Sequence, residues 1–137
     1  MSDKISLVLD SGAFSAFTQK KEVNLANYCD FCIENEDHIE TVVNLDVIQP
    51  GSPEVAAAAG MANFQIMLDR GIKAMPVFHA RENLKWLDQM LDRTDYIGLS
   101  GTSLVSPVED KAWHRFIWQY VTDSMGYPIA KFHSAER

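Results

Sequence analysis

The sequence predicts an α/β protein built on parallel strands. Short β-rich runs alternate with longer helical patterns along its 137 residues, as in strand–helix–strand units. Most of the strand runs are mainly apolar, as strands buried on both faces are. A doubly wound nucleotide-binding sheet would carry Gly-x-Gly-x-x-Gly after its first strand, and the sequence lacks it. Polar residues instead follow the end of each predicted strand, as they do in (β/α)8 barrels. We therefore predict a partial (β/α)8-type barrel of about five strands in one domain over residues 1–137.

The first half of the chain contains two predicted strands and two predicted helices. Residues 4–9 form a strand that a loop follows up to residue 21. Asn24 is a good helix N-cap, and apolar residues recur at helical spacing after it. Residues 39–47 form the second strand. Ser52 and Pro53 are typical of a helix start, and Gly71 of the end of that helix.

The second half continues the same alternation. Residues 72–78 form the third strand, although Pro76 lacks the amide donor that a central strand uses. A helix over residues 82–91 has its leucines on one side, and a short strand covers residues 95–99. The helix over residues 108–124 is rich in aromatic residues and ends before Gly126. Residues 128–133 form the fifth strand.

Composition restricts the classes of function. The net charge is −7, with 19 acidic against 12 basic residues, so non-specific nucleic-acid binding through phosphate neutralisation is disfavoured. A nucleic-acid substrate held locally stays possible. No apolar run approaches the roughly 20 residues of a membrane span, and the polar N-terminus does not resemble a signal peptide. We expect a cytoplasmic protein without a membrane partner.

Two cysteines, Cys29 and Cys32, have Cys-x-x-Cys spacing. This spacing suits a redox pair or half of a zinc site, but the sequence has no second cysteine pair. Positions three apart on a helix share a face. We interpret both as buried structural thiols.

Polar residues stand at or just past the end of each predicted strand. They are Asp10, Asp46 with Asn44 two residues before it, His79, Ser100 with Gly101, and His133. Because parallel strands of a barrel end at one edge, these side chains are predicted to converge on one site. Alternatively, the acids and histidines cap nearby helices. A third interpretation is a metal-dependent hydrolase that uses the carboxylates of Asp10 and Asp46 with His79 and His133.

The segment Asp10-Ser11-Gly12-Ala13-Phe14-Ser15 resembles the Asp-Ser-Gly-Gly-Phe-Gln motif of tRNA-guanine transglycosylases. It is closer still to the Asp-Ser-Gly-Ala-Phe-Ser form of their phage relatives, the 7-deazaguanine DNA transglycosylases. Later segments follow the family order: residues 44–47 resemble the strand whose acid recognises the base, and residues 75–79 the strand that ends in a base-contacting glutamine. Residues 96–101 resemble the Gly-Gly-Leu loop, and residues 129–133 the next strand.

This resemblance implies a (β/α)8 enzyme that exchanges a guanine in DNA or tRNA for a 7-deazaguanine. It implies that Asp10 is the acid–base residue that deprotonates the incoming base, and that Asp46 binds the amide and amino edge of the purine. A partly buried carboxylate suits the first role because burial raises its pKa. The remaining residues of the implied base site are Ser11, Gly12, Phe14, Asn44, His79, Ser100, Gly101 and His133. No cofactor or metal is expected, since the cysteine-rich zinc segment of tRNA-type members is absent.

The resemblance stops short of the strand that carries the covalent aspartate of the family, which follows the one matched by residues 129–133. Five strands also do not close an eight-stranded barrel, and open sheet edges favour association. We therefore expect a homo-oligomer or a complementing subunit. The chain is then a base-exchange enzyme, the base-binding part of a split enzyme, or a non-catalytic assembly subunit.

Overall fold

The computed structural model describes residues 8–18, 23–45, 52–100 and 106–135. This part of the chain has an α/β fold with two parallel sheets of three strands each. The predicted class and strand direction are thus confirmed, whereas neither sheet of the described residues closes into a barrel. The chain divides into two compact units, Met1–Met75 and Pro76–Arg137. No helix in the described ranges is long and apolar enough to cross a membrane.

The first unit contains a sheet in the order β1-β2-β3, with all neighbours parallel. Its strands are β1 (Val8–Leu9), β2 (Thr41–Val43) and β3 (Ala74–Met75). Its helices are α1 (Ser11–Thr18), α2 (Leu25–Glu34) and α3 (Pro53–Asp69), with a short 3₁₀ helix at Glu36–His38.

Helix α1 occupies part of the segment predicted as a loop, so that prediction is wrong over Ser11–Thr18. Tertiary packing stabilises this helix. The Phe14 ring is buried edge-to-face against Tyr28 and Phe31, with both centroid distances 5.3 Å. This burial outweighs the low helix propensity of the serine and glycine that begin the helix.

The predicted starts of α2 and α3 are confirmed. The Asn24 side chain accepts a hydrogen bond from the Asn27 amide at 2.8 Å, and Ser52 caps α3 in the same way. Gly71, with φ of 81°, follows α3 where an L-residue would be strained. Cys29 and Cys32 are buried and not joined in a disulfide. Burial is the largest cause that raises the pKa of both thiols, to about 12 for Cys32, as expected of structural thiols.

The second unit contains a sheet in the order β4-β5-β6. Its strands are β4 (Val77–His79), β5 (Tyr96–Ser100) and β6 (Lys131–Ala135), and its helices are α4 (Leu84–Arg93) and α5 (Pro107–Tyr120). Helix α5 packs on one face of this sheet, since Trp113 stacks on Phe78 with ring centroids 6.5 Å apart.

Two predicted strands in this region need correction. The strand predicted over residues 72–78 is two strands, β3 and β4, on either side of Pro76. Proline has no amide to donate, although its carbonyl oxygen accepts from the Gly98 amide at 2.9 Å. The last strand begins at Lys131 and not at residue 128, because the preceding residues turn back on the end of α5. There the Ile129 amide donates to the Val121 carbonyl oxygen at 2.8 Å.

Candidate functional site

Asp10 lies at the junction of β1 and α1. Its carbonyl oxygen accepts the hydrogen bond of the Phe14 amide at 2.9 Å, so Asp10 occupies the N-cap position of α1, and its side chain is exposed. Ser11 and Gly12 lie in the first turn of the helix and not in the loop predicted up to residue 21. A carboxylate here is stabilised by the helix N-terminus. Phe14, predicted to contact a base, lies instead in the core at 2% exposure.

Tyr28 of α2 joins the ends of the first two strands. Its ring is completely buried, and its hydroxyl oxygen lies 3.1 Å from the Leu9 carbonyl oxygen and 2.7 Å from that of Val43. Asp10 directly follows Leu9, and Asn44 directly follows Val43. One hydroxyl group therefore fixes the spacing of the two strand ends from which these residues emerge. This contact is not evident from the sequence, because Tyr28 fits the apolar face of α2.

Asn44 is a buried polar residue at the end of β2, with 6% of its surface exposed. Its amide nitrogen Nδ2 donates to the Gly60 carbonyl oxygen of α3 at 2.9 Å. Because that partner only accepts, the side-chain amide has one possible orientation. Its Oδ1 atom is thereby fixed as an acceptor, and none of the described residues donates to it. A buried acceptor left unpaired costs about 1–3 kcal/mol, which a ligand N–H would recover.

A second asparagine ties α3 to the same strand end. Asn63 Nδ2 donates to the Leu45 carbonyl oxygen at 3.1 Å. The hydrogen bonds of Asn44 and Asn63 therefore both connect α3 to the residues that follow β2. Asn44 differs because its buried carbonyl oxygen has no donor among the described residues.

In the second unit, His79 and Ser100 end neighbouring strands at the same level. They are register partners, and the Ala80 amide donates to the Ser100 carbonyl oxygen at 2.8 Å. Residues alternate across a strand, so His79 and Ser100 share one face, and Phe78, which meets α5, belongs to the other. The sequence prediction that both residues lie at the carboxyl edge of a parallel sheet agrees with this placement.

His133 lies lower on the same face. It pairs with Gly98 in the middle of β6, two residues before the partner of Ser100, and not at the end of its strand as predicted. The difference follows from the later start of β6. The exposed ring packs edge-to-face on Tyr96 with centroids 6.4 Å apart.

Glu82 is the residue of this region that sequence reasoning missed. Its Oε1 atom lies 3.0 Å from Nδ1 of His79 and also accepts from the His79 backbone amide. Only 10% of the Glu82 side chain is exposed. An acid three residues after a strand-end histidine is the signal that would have identified it.

The structure thus groups the predicted site residues by unit. Asp10, Ser11 and Asn44 lie at the carboxyl ends of β1 and β2, and His79, Ser100 and His133 share a face of the second sheet. Two further predicted site residues, Asp46 and Gly101, lie outside the described residues. Among the residues that are described, no three His, Cys, Asp or Glu side chains form a group that could hold a metal ion.

Comparisons of the chain with models of protein families, with curated proteins and with solved structures found no match.

Proposed function

We propose that the protein binds a guanine-like base at the carboxyl ends of its parallel strands. We further propose that it does so as a base-exchange transglycosylase acting on DNA or tRNA, or as the base-binding part of one. The observation that carries this proposal is the buried Oδ1 acceptor of Asn44, which no described residue satisfies. Asn44 directly follows β2. The Tyr28 hydroxyl group holds the end of β2 next to the end of β1, which Asp10 directly follows.

The chemistry of the base fits these groups. A guanine-like base presents a ring N–H and an exocyclic amine on one edge, and both need acceptors. Carboxylate and amide oxygens are such acceptors. In this proposal Asn44 accepts from a donor of the base, Asp46 binds the amide and amino edge, and Asp10 removes the proton from the incoming base. A general base must be able to approach that proton. The Asp10 side chain is exposed and not partly buried as expected from the sequence, so its accessibility is what supports this role.

The location of the groups supports the proposal as well. Ligands of parallel α/β folds bind beyond the carboxyl ends of the strands, where Asp10 and Asn44 occur in the first unit. The proposal includes a (β/α)8-type barrel, to which a second copy or a complementing subunit contributes further strands. Such assembly would extend the two three-stranded parallel sheets of the described residues at their edge strands.

The test is an exchange assay with labelled guanine. The protein is incubated with tRNA or duplex DNA, and the label that enters the nucleic acid is measured for the wild type and for Asp10→Asn, Asp46→Asn and Asp37→Asn. Asp37 is an exposed acid in the 3₁₀ helix before β2, at the amino edge of the sheet, and is the matched control. We expect incorporation that Asp10→Asn and Asp46→Asn abolish and Asp37→Asn leaves unchanged.

The other outcomes are equally decisive. Binding of 7-deazaguanine without exchange would support the base-binding part of a split enzyme. Equal incorporation by all three variants, or a wild type that neither exchanges guanine nor binds 7-deazaguanine, contradicts the proposal.

A further inference from the structure

Helix α5 has a second apolar face besides the one that packs on its sheet. Four exposed residues recur along it at intervals of four, which places them on one side of the helix. They are Val108, Ala112, Phe116 and Tyr120. The packing face is a different one, because Trp113 meets Phe78 there and Ile117 is buried. A surface helix of a globular protein has its apolar residues mainly on the core side, so this apolar stripe is a candidate contact surface.

Contacts within the second unit hold the apolar stripe in place. The rings of Phe116 and Tyr120 stack with their centroids 6.5 Å apart, and the Tyr120 hydroxyl group donates to Oδ1 of Asp88 in α4 at 2.6 Å. Side chains that are already ordered lose little conformational entropy when a partner binds. The stripe is therefore prepared for a contact without rearrangement.

The apolar surface in this region is large enough for a dimer. Phe116 and Tyr120 have 51% and 39% of their surface exposed. Val108 is 80% exposed, and in the turn that follows α5 Met125 and Ile129 are 77% and 54% exposed. At about 150–250 Å² for a whole aromatic side chain and about 60–120 Å² for an aliphatic one, roughly 250–500 Å² of this apolar surface faces water. Two copies would bury about 500–1,000 Å², which overlaps the about 800–1,300 Å² of apolar surface in a homodimer interface of standard size.

We infer that the apolar stripe of α5 is an interface with a second copy of this chain, whose α5 runs antiparallel to it about a two-fold axis. The order of side-chain sizes points to this partner. In a pair centred between Ala112 and Phe116, each large Phe116 ring faces the small Ala112 of the second copy, and each Tyr120 faces Val108. Large residues opposite small ones let two helices interlock, and a two-fold contact requires a surface that complements itself. The inference is independent of the proposed base site, and this interface is a helix face and not a sheet edge.

The test is analytical ultracentrifugation over a range of protein concentrations, with circular dichroism to check that each variant is folded. We expect a reversible dimer for the wild type. Phe116→Ala leaves a gap opposite Ala112 and should weaken the dimer at least about thirtyfold, as the loss of a central aromatic contact does. Ala112→Phe places two rings at one point and should weaken it as well. The double variant Ala112→Phe/Phe116→Ala exchanges the large and the small position and should recover most of the lost affinity.

Trp118→Ala is the matched control. Trp118 is 52% exposed, as Phe116 is, but two residues further along it lies on another side of α5. We expect this variant to dimerise like the wild type.

A wild type that stays monomeric at every concentration overturns the inference, whatever else covers the stripe. So does a dimer that Phe116→Ala weakens no more than Trp118→Ala does, which would place the interface elsewhere, such as at a sheet edge. A double variant that dimerises no better than Phe116→Ala overturns the antiparallel pairing. If Phe116→Ala does not fold, Ala112→Phe decides alone, because an undiminished dimer of that variant contradicts the pairing.

Discussion

Substituting Tyr28→Phe removes a single oxygen atom from the interior of the first unit. That oxygen contacts the carbonyl oxygens of Leu9 and Val43 at 3.1 and 2.7 Å. The phenyl ring keeps the edge-to-face contact with Phe14, so the substitution tests the hydroxyl group alone. We expect lower stability and weaker binding of a base, because the ends of β1 and β2 lose the group that joins them.

The expected magnitude follows from the burial of the group. The hydroxyl group donates one hydrogen, and its removal leaves a buried carbonyl oxygen without that donor, which costs about 1–3 kcal/mol. A chain of 137 residues has an unfolding entropy of about 0.3 kcal/mol/K, at about 2.1 cal/mol/K per residue. The melting temperature should therefore fall by about 3–10 °C.

The assay is thermal and urea unfolding followed by circular dichroism. Tyr127→Phe is the matched control, since Tyr127 is 67% exposed and its substitution should change the free energy of unfolding by less than about 0.5 kcal/mol. Affinity for 7-deazaguanine is then measured at a temperature where the variant is folded. If Tyr28→Phe is as stable as Tyr127→Phe, the hydroxyl group does not hold the two strand ends and the reasoning is refuted.

Two further predictions concern Arg81 and Cys32. The free energy of unfolding of Arg81→Gly should exceed that of Arg81→Ala by about 1 kcal/mol, because φ of 75° is strained for any L-residue. Lys111, which is exposed within α5, is the control position. There the alanine variant should be more stable than the glycine variant by a similar amount. The opposite order at Arg81 in denaturant titrations would contradict the backbone argument. Burial raises the pKa of Cys32 from 9.0 to about 12, so its thiol stabilises the fold fully below pH 9 and loses that contribution as pH rises towards 12. The stability advantage of wild type over Cys32→Ala should therefore shrink above pH 9, by at most about 1.4 kcal/mol per pH unit, and a constant difference from pH 8 to pH 10 in urea titrations would contradict it.

The fold class and the helix starts follow from local sequence. The alternation of apolar and helical runs predicts parallel strands, and the caps at Asn24 and Ser52 are made by side chains within three residues of their partners. Helix α1 is not predictable in this way. Its first residues have low helix propensity, and the burial of Phe14 against α2 decides the outcome.

The candidate site is likewise predicted in part by local sequence and decided in part by tertiary contacts. Strand-end positions predict the places of Asp10, His79 and Ser100, because a side chain that ends an apolar run has a defined position in a parallel sheet. Tyr28 acts through contacts with backbone carbonyl oxygens, which residue type does not reveal. Glu82 contacts His79 from three residues further along the chain, and that spacing was its signal in the sequence. The sequence predicts His133 too close to the edge of the sheet, because the hydrogen bond from the Ile129 amide to the Val121 carbonyl oxygen delays the start of β6.

The central claim, that the buried acceptor of Asn44 receives a donor of a guanine-like base, is tested by calorimetric titration of 7-deazaguanine. The wild type is compared with Asn44→Leu and with Asn63→Leu. Both variants lose a side-chain hydrogen bond from α3 to the end of β2, but only the first loses the buried Oδ1 atom that lacks a donor among the described residues. The account predicts stoichiometric binding by the wild type and by Asn63→Leu, and binding at least about tenfold weaker by Asn44→Leu. No binding by the wild type, or equal binding by Asn44→Leu, would contradict it.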